Sequence, residues 1–309
     1  MKHVEEQAKI KIPAEAVDLY TRYIHGEVSR RDFLTGVKRF AIAGLSAEVL
    51  VQALMPNYAL GQQVRKDDER IKATYETIPS PTGNGYIRGY FVRPFSQETR
   101  TEKPTKLPAV LVVHENRGLN PHTEDVARRF ALENFIAFAP DALTTVGGYP
   151  NDDYKGGLLF NKIDGAKRMQ DFLASAQWLK ANSFSNGKVC ATGFCFGGGV
   201  CNTLATLMGP DMAAIAPFYG GNPTLADVPK IKAAVLIHHG GLDMALVNAV
   251  PAYEAELKKN NIPHEVHIWQ NSVHGFFNDA TPERYNKTTA PQAWARTIEW
   301  FNQYSRASS

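Results

Sequence analysis

The residues best suited to chemistry in this chain lie in the segment Gly193-Phe194-Cys195-Phe196-Gly197-Gly198. An apolar run, residues 188–192, precedes the segment and a glycine-rich stretch follows it, which indicates a strand that turns sharply into a helix. Such a turn leaves no room for a Cβ two residues before or after its centre, and Gly193 and Gly197 meet that demand. The sulfur of Cys195 would then face the first free N–H groups of the helix, which stabilise an anion. Taken alone, a buried cysteine in a turn would explain the segment as well.

Two groups farther along the chain favour the catalytic interpretation. An apolar strand over residues 233–238 leads to Asp243, and a strand over residues 264–269 leads to a loop that carries His274. Nucleophile, acid and histidine in this order, each after a strand, are typical of the α/β-hydrolase triad. In that arrangement Cys195 attacks an acyl carbon, His274 transfers the proton, and Asp243 orients the imidazole and stabilises its charged form.

Together, these residues resemble the dienelactone hydrolase family of the α/β-hydrolase superfamily. The resemblance extends over about residues 70–305. It implies an α/β fold with a mostly parallel central sheet flanked by helices. It also implies a cofactor-independent hydrolase that cleaves a small carboxylic ester or lactone through a thioacyl intermediate.

The family also carries a glutamate beside the nucleophile, after a strand that matches residues 109–113. The resemblance transfers this role to Glu115, and it assigns the oxyanion hole to the backbone N–H groups of Asn116 and Phe196. A salt bridge from Glu115 to Arg117 or to another nearby cation is the structural alternative.

The sequence departs from the family directly after the histidine, where it reads His274-Gly275-Phe276-Phe277-Asn278. The founding members carry a serine and then an arginine there, and the arginine helps to hold the substrate carboxylate. Three cations could replace that arginine: Arg117, Arg128 and Lys155. The two phenylalanines predict a more apolar wall, suited to substrates without an obligatory carboxylate. For substrate binding we expect Arg117, Phe276 and Tyr219.

The composition fits one catalytic domain with an appended element, at 309 residues, 44% hydrophobic and 21% charged. A net charge of +3 with scattered basic residues gives no indication of nucleic-acid binding. The histidines lack a zinc-ligand spacing, so the sequence predicts no metal. The three cysteines, odd in number and close together, predict free thiols, with Cys190 and Cys201 buried as small apolar residues.

The first 61 residues have two interpretations. Ser29-Arg30-Arg31-Asp32-Phe33-Leu34 resembles a twin-arginine export signal, with a small-residue cleavage region near residues 57–61, which predicts a periplasmic protein. Alternatively, Ser29 and Asp32 form a capping box that opens an amphipathic helix in a retained arm of a cytoplasmic protein. Its apolar face would cover the enzyme or a second copy of the chain, giving a homo-oligomer: Phe33, Val37, Phe40, Ala41, Leu45, Val49 and Leu50. Neither interpretation includes a transmembrane helix.

The predicted organisation is therefore a helical arm or signal over residues 1–61 and a catalytic domain over residues 62–309. The domain begins with a polar linker at residues 62–70 and a hairpin over residues 75–92. Strands then alternate with helices, of which residues 163–181 and 291–304 are the clearest. A loop over residues 144–154 is expected to roof the pocket, with its acids solvated. A peptidase of the same superfamily and a non-catalytic small-molecule binder are the competing functions.

Overall fold

The computed structural model describes residues 12–24, 27–40, 46–95 and 105–306. The chain divides into two compact units. The smaller consists of Met1–Asn57 with Thr281–Glu283, and the larger of Tyr58–Ala280 with Arg284–Ser309. The boundary that the sequence suggests near residue 61 stays a prediction.

The described residues of the smaller unit form three short helices: α1 (Ala14–Ile24), α2 (Arg30–Val37) and α3 (Ala47–Leu54). The capping pair is present, since the hydroxyl of Ser29 accepts the N–H of Asp32 at 3.2 Å and donates to its carboxylate at 2.6 Å. Phe33 and Val37 are buried, whereas Ala41 and Leu45 lie outside the described residues. None of the described helices is long and apolar enough to cross a membrane.

Within residues 58–95 and 105–306, the larger unit is built on one sheet of eight strands in the order β1-β2-β4-β3-β5-β6-β7-β8. The strands are β1 (Ile71–Ser80), β2 (Gly85–Pro94), β3 (Leu107–Val113), β4 (Ile136–Pro140), β5 (Ser185–Phe194), β6 (Met212–Phe218), β7 (Ala234–Gly240) and β8 (His264–Trp269). β2 is antiparallel to both of its neighbours, and the other pairs are parallel. The predicted mostly parallel α/β sheet is therefore confirmed.

Helices cover both faces of this sheet: α4 (Pro121–Leu132), α5 (Asp153–Phe160), α6 (Gly165–Ala181), α7 (Phe196–Met208), α8 (Met244–Lys259) and α9 (Thr289–Ser305). One apolar cluster joins Leu111 of β3 to Leu204 of α7. The other joins Val112 of β3 to Phe301 of α9. Because the central strands are buried on both faces, they are continuously apolar in sequence rather than alternating.

The parallel register brings the carboxyl ends of the central strands to one edge. Val113 of β3 pairs with Gly193 of β5, and Phe194 pairs with Phe218 of β6. Phe218 in turn pairs with His238 of β7. The loops that follow β3, β5, β6, β7 and β8 therefore meet at that edge, which is where open parallel sheets carry their sites.

Candidate active site

The predicted sharp turn lies between β5 and α7, with Cys195 at its centre. Its backbone has φ 54° and ψ −113°, a conformation that side-chain-bearing residues rarely adopt and that occurs mostly at functional sites. The two flanking glycines are required, because a Cβ on Gly193 would stand 2.4 Å from the carbonyl oxygen of Gly197. A Cβ on Gly197 would stand 2.3 Å from the carbonyl oxygen of Val113. The N–H of Cys195 donates to the carbonyl of Phe218 at 3.1 Å, which fixes the turn against β6.

Asp243 and His274 meet beside this turn. Asp243 is the residue before α8, and His274 lies in the loop after β8. Nδ1 of His274 is 2.6 Å from Oδ2 of Asp243, and both side chains are nearly buried. Cys195 interacts with the same imidazole, because the negative charge of its sulfur raises the pKa of His274. The structure thus brings together the three residues that the sequence predicts as nucleophile, base and acid.

The electrostatics of this group favour a charged imidazole. Burial by itself lowers the pKa of His274. The negative charges of Cys195 and Asp243, together with the hydrogen bond to Asp243, outweigh burial and raise that pKa to about 10. An imidazolium beside a thiolate is the arrangement in which a cysteine is a ready nucleophile.

The other two cysteines lack this environment. Cys190 and Cys201 are free and fully buried, whereas the side chain of Cys195 is partly exposed. Burial raises the pKa of the Cys190 thiol to about 12 and raises that of Cys201 as well. Both behave as small apolar residues, as the sequence predicts.

The loop after β3 is held in place by a neutral histidine, His114. Its Nδ1–H donates to the carbonyl of Glu115, and its Nε2 accepts the N–H of Ala142 at 3.1 Å. Burial lowers the pKa of His114, so the ring keeps these donor and acceptor roles. The N–H of Arg117 donates back to the carbonyl of Glu115 at 2.8 Å, which makes a tight turn around Asn116.

The predicted oxyanion donors lie on the two segments that meet here. Asn116 is half-buried in the loop after β3, and the Val113–Gly193 pairing sets that loop beside the turn of Cys195. Phe196 is the first residue of α7, so its N–H is among the four that a helix cannot satisfy internally.

The side chain of Glu115 is buried at the same edge. Its negative charge raises the pKa of the Tyr219 hydroxyl, after the larger effect of burial. The charges of Cys195 and Arg284 also act on that hydroxyl, so Glu115, Tyr219 and Cys195 belong to one cluster.

Two of the predicted substrate-binding residues form an aromatic wall against His274. The ring of Tyr219 lies 4.9 Å from the imidazole, and Phe276 packs on Tyr219 at 5.7 Å, both fully buried. Tyr219 has φ 39°, and its buried hydroxyl has no hydrogen-bond partner among the described residues. Such a hydroxyl is available to donate to a bound molecule.

Of the three cations considered for the missing arginine, one lies at the site. The guanidinium of Arg117 donates to the carbonyl of Asp153 at 3.1 Å, at the start of α5. Arg128 is instead fully buried in an ion cluster with Asp125, which it contacts at 3.2 Å, so its candidacy is wrong. Lys155 is exposed on α5.

Sequence reasoning missed a buried arginine beside the histidine loop. Gly275 directly follows His274. A Cβ on Gly275 would stand 2.6 Å from Nη1 of Arg284, so the guanidinium lies against this glycine. Arg284 is 4% exposed, and its charge lowers the pKa of the Tyr219 hydroxyl against the effect of burial. No local pattern marks it, because it follows His274 by ten residues in a segment without helix or strand.

One acid of the loop over residues 144–154, Asp153, also differs from expectation. Asp153 is not solvated: it accepts hydrogen bonds from the hydroxyls of Tyr58 and Tyr149, at 2.9 and 2.7 Å. Burial raises its pKa, against the opposing charge of Arg117. The prediction failed because Tyr58 lies 95 residues away in sequence.

Strand order, turn and loop placement define this unit as an α/β hydrolase. The family model described as "Dienelactone hydrolase family" matches residues 95–305, and the chain belongs to that family. A protein of Escherichia coli O157:H7 described as "Putative carboxymethylenebutenolidase" is 31% identical over 267 residues, or 80% of this chain and 92% of that protein. The "Putative hydrolase fragment YghX" of Escherichia coli K12 is 52% identical over 120 residues, which are 39% of this chain and 97% of the fragment. A crystal structure described as a "Putative Dienelactone Hydrolase" from Klebsiella pneumoniae has a TM-score of 0.64 at 26% identity and covers 76% of this chain and 99% of its own.

Proposed function

We propose that this hydrolase cleaves carboxylic esters or lactones without a cofactor, with Cys195 as nucleophile. The observation that carries the proposal is the 2.6 Å contact between His274 Nδ1 and Asp243 Oδ2, on a histidine whose pKa the charge of Cys195 raises. A nucleophile, a base within reach of it and a third group that orients the base form the general arrangement for acyl transfer.

In the first half-reaction the Cys195 thiolate attacks the acyl carbon and forms a C–S bond. The carbonyl oxygen becomes an oxyanion beside the N–H groups of Asn116 and Phe196. When the tetrahedral intermediate collapses, the C–O bond breaks and the imidazolium of His274 gives its proton to the departing alkoxide. The products are an alcohol and a thioester on Cys195; a lactone instead stays tethered as a hydroxyacyl group.

In the second half-reaction His274, now neutral, takes a proton from water, and the hydroxide attacks the thioester carbon. The C–S bond breaks, and the Cys195 thiolate and the His274 imidazolium are restored. The carboxylic acid formed gives its proton to solvent. The positive charge on His274 is lost in the first half-reaction and regained in the second, and Asp243 stabilises the charged form.

The side chains that line the site suit a substrate that is bound without a carboxylate group. Phe276 and Tyr219 offer apolar ring surface, and the Tyr219 hydroxyl offers one donor. A mostly apolar pocket with a few placed polar groups is typical of small-molecule sites. Arg117 and Arg284 are the charges available if the substrate is an anion.

The test is a screen of the wild-type protein against p-nitrophenyl esters, lactones and amides, followed by Cys195→Ala. Turnover of esters or lactones that disappears in Cys195→Ala, with an acyl adduct on Cys195 by mass spectrometry, is the expected result. Cys201→Ala is the matched control, since it removes a buried thiol on α7 outside the cluster. Preference for amides would favour the peptidase, and no turnover with tight ligand binding would favour the non-catalytic relative.

A further inference from the structure

Residues 58–64, called the strap here, form part of the larger unit rather than a free linker. A Cβ on Gly61 would stand 2.5 Å from the backbone nitrogen of Ala280, so the strap lies directly on the chain that follows the histidine loop. The N–H groups of Gln63 and Val64 donate to the buried carboxylate of Asp125, at 3.2 and 2.8 Å. The strap is therefore fixed at several points.

At its first residue the strap reaches α5. The hydroxyl of Tyr58 lies 2.9 Å from both carboxylate oxygens of Asp153, the first residue of that helix. Tyr149 also donates to Asp153, but it lies only four residues away and ties α5 to its own loop. Tyr58 instead joins α5 to a segment that is distant in sequence.

The helix α5 in turn contacts both segments that carry the proposed oxyanion donors. A Cβ on Gly156 would stand 2.3 Å from the carbonyl oxygen of Arg117, so the helix backbone lies on the residue after Asn116. At its other end, the ring of Phe160 meets the ring of Phe196 edge to face at 4.8 Å. A shift of α5 would therefore move the surroundings of both N–H groups.

The charge of Glu115 also affects the hydroxyl of Tyr58. Burial is the first cause that raises the pKa of Tyr58, followed by the charges of Asp153, Tyr149 and Glu115. Tyr58 therefore remains a neutral donor, and its hydroxyl belongs to the surroundings of the active-site loop.

We propose that Tyr58 is a positioning residue of the active site, which holds α5 through Asp153 and thereby fixes the loop of Asn116 and the ring of Phe196. The inference rests on the proposed hydrolysis at Cys195. The Tyr58 hydroxyl lies 2.9 Å from both carboxylate oxygens of Asp153, so this contact links the start of α5 to the strap. A 1 Å misplacement of groups that act in the transition state costs rate rather than ground-state affinity.

The position of Tyr58 bears on the two interpretations of the first 61 residues. Removal of a signal at any bond after Tyr58 would take this hydroxyl away, although the sheet and the predicted triad residues would remain. An exported enzyme therefore needs a cleavage site before Tyr58.

The experiment compares Tyr58→Phe with Tyr149→Phe in the full chain, because both remove one hydroxyl from the same carboxylate. For Tyr58→Phe we expect kcat on the best ester to fall about tenfold, or ~1.4 kcal/mol, with KM changed less than about twofold. Tyr149→Phe should cost less, and Tyr86→Phe, which changes an exposed tyrosine on β2, serves as the unaffected reference. Amide hydrogen exchange should accelerate over residues 153–160 in Tyr58→Phe and stay unchanged in β5 and β7.

Hydrogen exchange separates the failure of this inference from that of the proposed function. If the wild type hydrolyses nothing, the function fails, and faster exchange in α5 alone would still support the strap contact. The positioning role is overturned if Tyr58→Phe leaves both kcat and α5 exchange unchanged. It is also overturned if kcat holds while exchange rises throughout the larger unit, because Tyr58 would then be a structural residue only.

Discussion

Replacing Asp243 by asparagine tests the electrostatic design of the site. The change keeps the shape of the side chain but removes the negative charge 2.6 Å from Nδ1 of His274. Hydrogen bonds to charged groups contribute ~1.5–3 kcal/mol, and 1.36 kcal/mol corresponds to one pKa unit. We therefore expect Asp243→Asn to lower the pKa of His274 by about 1–2 units and kcat/KM by about 10–150-fold.

The sign of the pH effect follows from the raised pKa. In the wild type the raised pKa of about 10 keeps His274 charged into the alkaline range, so the imidazolium that we propose protonates the leaving group persists there. In Asp243→Asn the alkaline limb of kcat/KM should move to lower pH. Iodoacetamide labelling of Cys195 should move to higher pH, because the weakened imidazolium stabilises the reactive thiolate less.

The raised pKa of His274 also makes the stability of the fold depend on pH. A histidine whose pKa is raised in the folded state stabilises the fold fully below its unfolded value of about 6.5, and this contribution is lost as the pH rises towards 10. Asp243→Asn should therefore have a lower free energy of unfolding in urea than the wild type. The difference between the two proteins should be larger at pH 6 than at pH 10.

Two surface acids are matched controls. Asp227 pairs with Lys230, and Asp211 pairs with Lys180, each at 2.5 Å on the surface. Their asparagine variants should keep wild-type kcat/KM within about twofold, because exposed ion pairs contribute little. The reasoning is refuted if either control costs as much as Asp243→Asn, or if Asp243→Asn leaves the alkaline limb where it was.

Three further predictions concern Glu115, the turn at Gly197 and the buried ion cluster of Asp279. Glu115→Gln removes a charge that opposes the thiolate, so iodoacetamide should label Cys195 faster near neutral pH; an unchanged labelling profile would leave Glu115 a structural role only. Gly197→Ala places a Cβ 2.3 Å from a carbonyl oxygen and should lower both Tm and activity, whereas Gly199→Ala, with its nearest contact at 3.7 Å, should not; equal losses would contradict the close approach. Burial opposes ionisation of Asp279, but His122 and Arg129 lower its pKa to about 2, so its carboxylate stabilises the fold above about pH 4 and less as the pH falls towards 2. In urea, the free energy of unfolding of Asp279→Asn should be lower than that of the wild type, and this difference should shrink as the pH falls from about 4 to about 2. A difference that stays constant would exclude this ionic contribution.

The turn and the predicted triad residues could be read from the sequence because their constraints are local. Gly193 and Gly197 are demanded by backbone atoms within the turn and the adjoining strand, and the order of Cys195, Asp243 and His274 follows from the order of the strands. A parallel sheet then brings the strand ends together without further information.

Two helices near the predicted oxyanion loop, α4 and α5, show why other parts of the fold could not be predicted from the sequence. In α4, residues 122–131 are all buried although the charged residues Glu124, Asp125, Arg128 and Arg129 are among them, so the apolar pattern of the sequence does not indicate this burial. In α5, a Gly156-Gly157 pair breaks helix propensity, and at Gly156 the close approach of Arg117 requires it. Tyr58 and Arg284 come from segments without helix or strand, and only the tertiary fold brings them to the site.

The backbone of Cys195 also limits the evolutionary routes open to this enzyme. At φ 54° and ψ −113° a side chain branched at Cβ is disfavoured, since its second substituent crowds the backbone of the turn. Serine fits in place of cysteine and can be reached by a single nucleotide change, whereas threonine, the other hydroxyl nucleophile, is excluded by shape. If Cys195 is the nucleophile as proposed, a directed-evolution library at position 195 should therefore recover active serine variants but no active threonine variant.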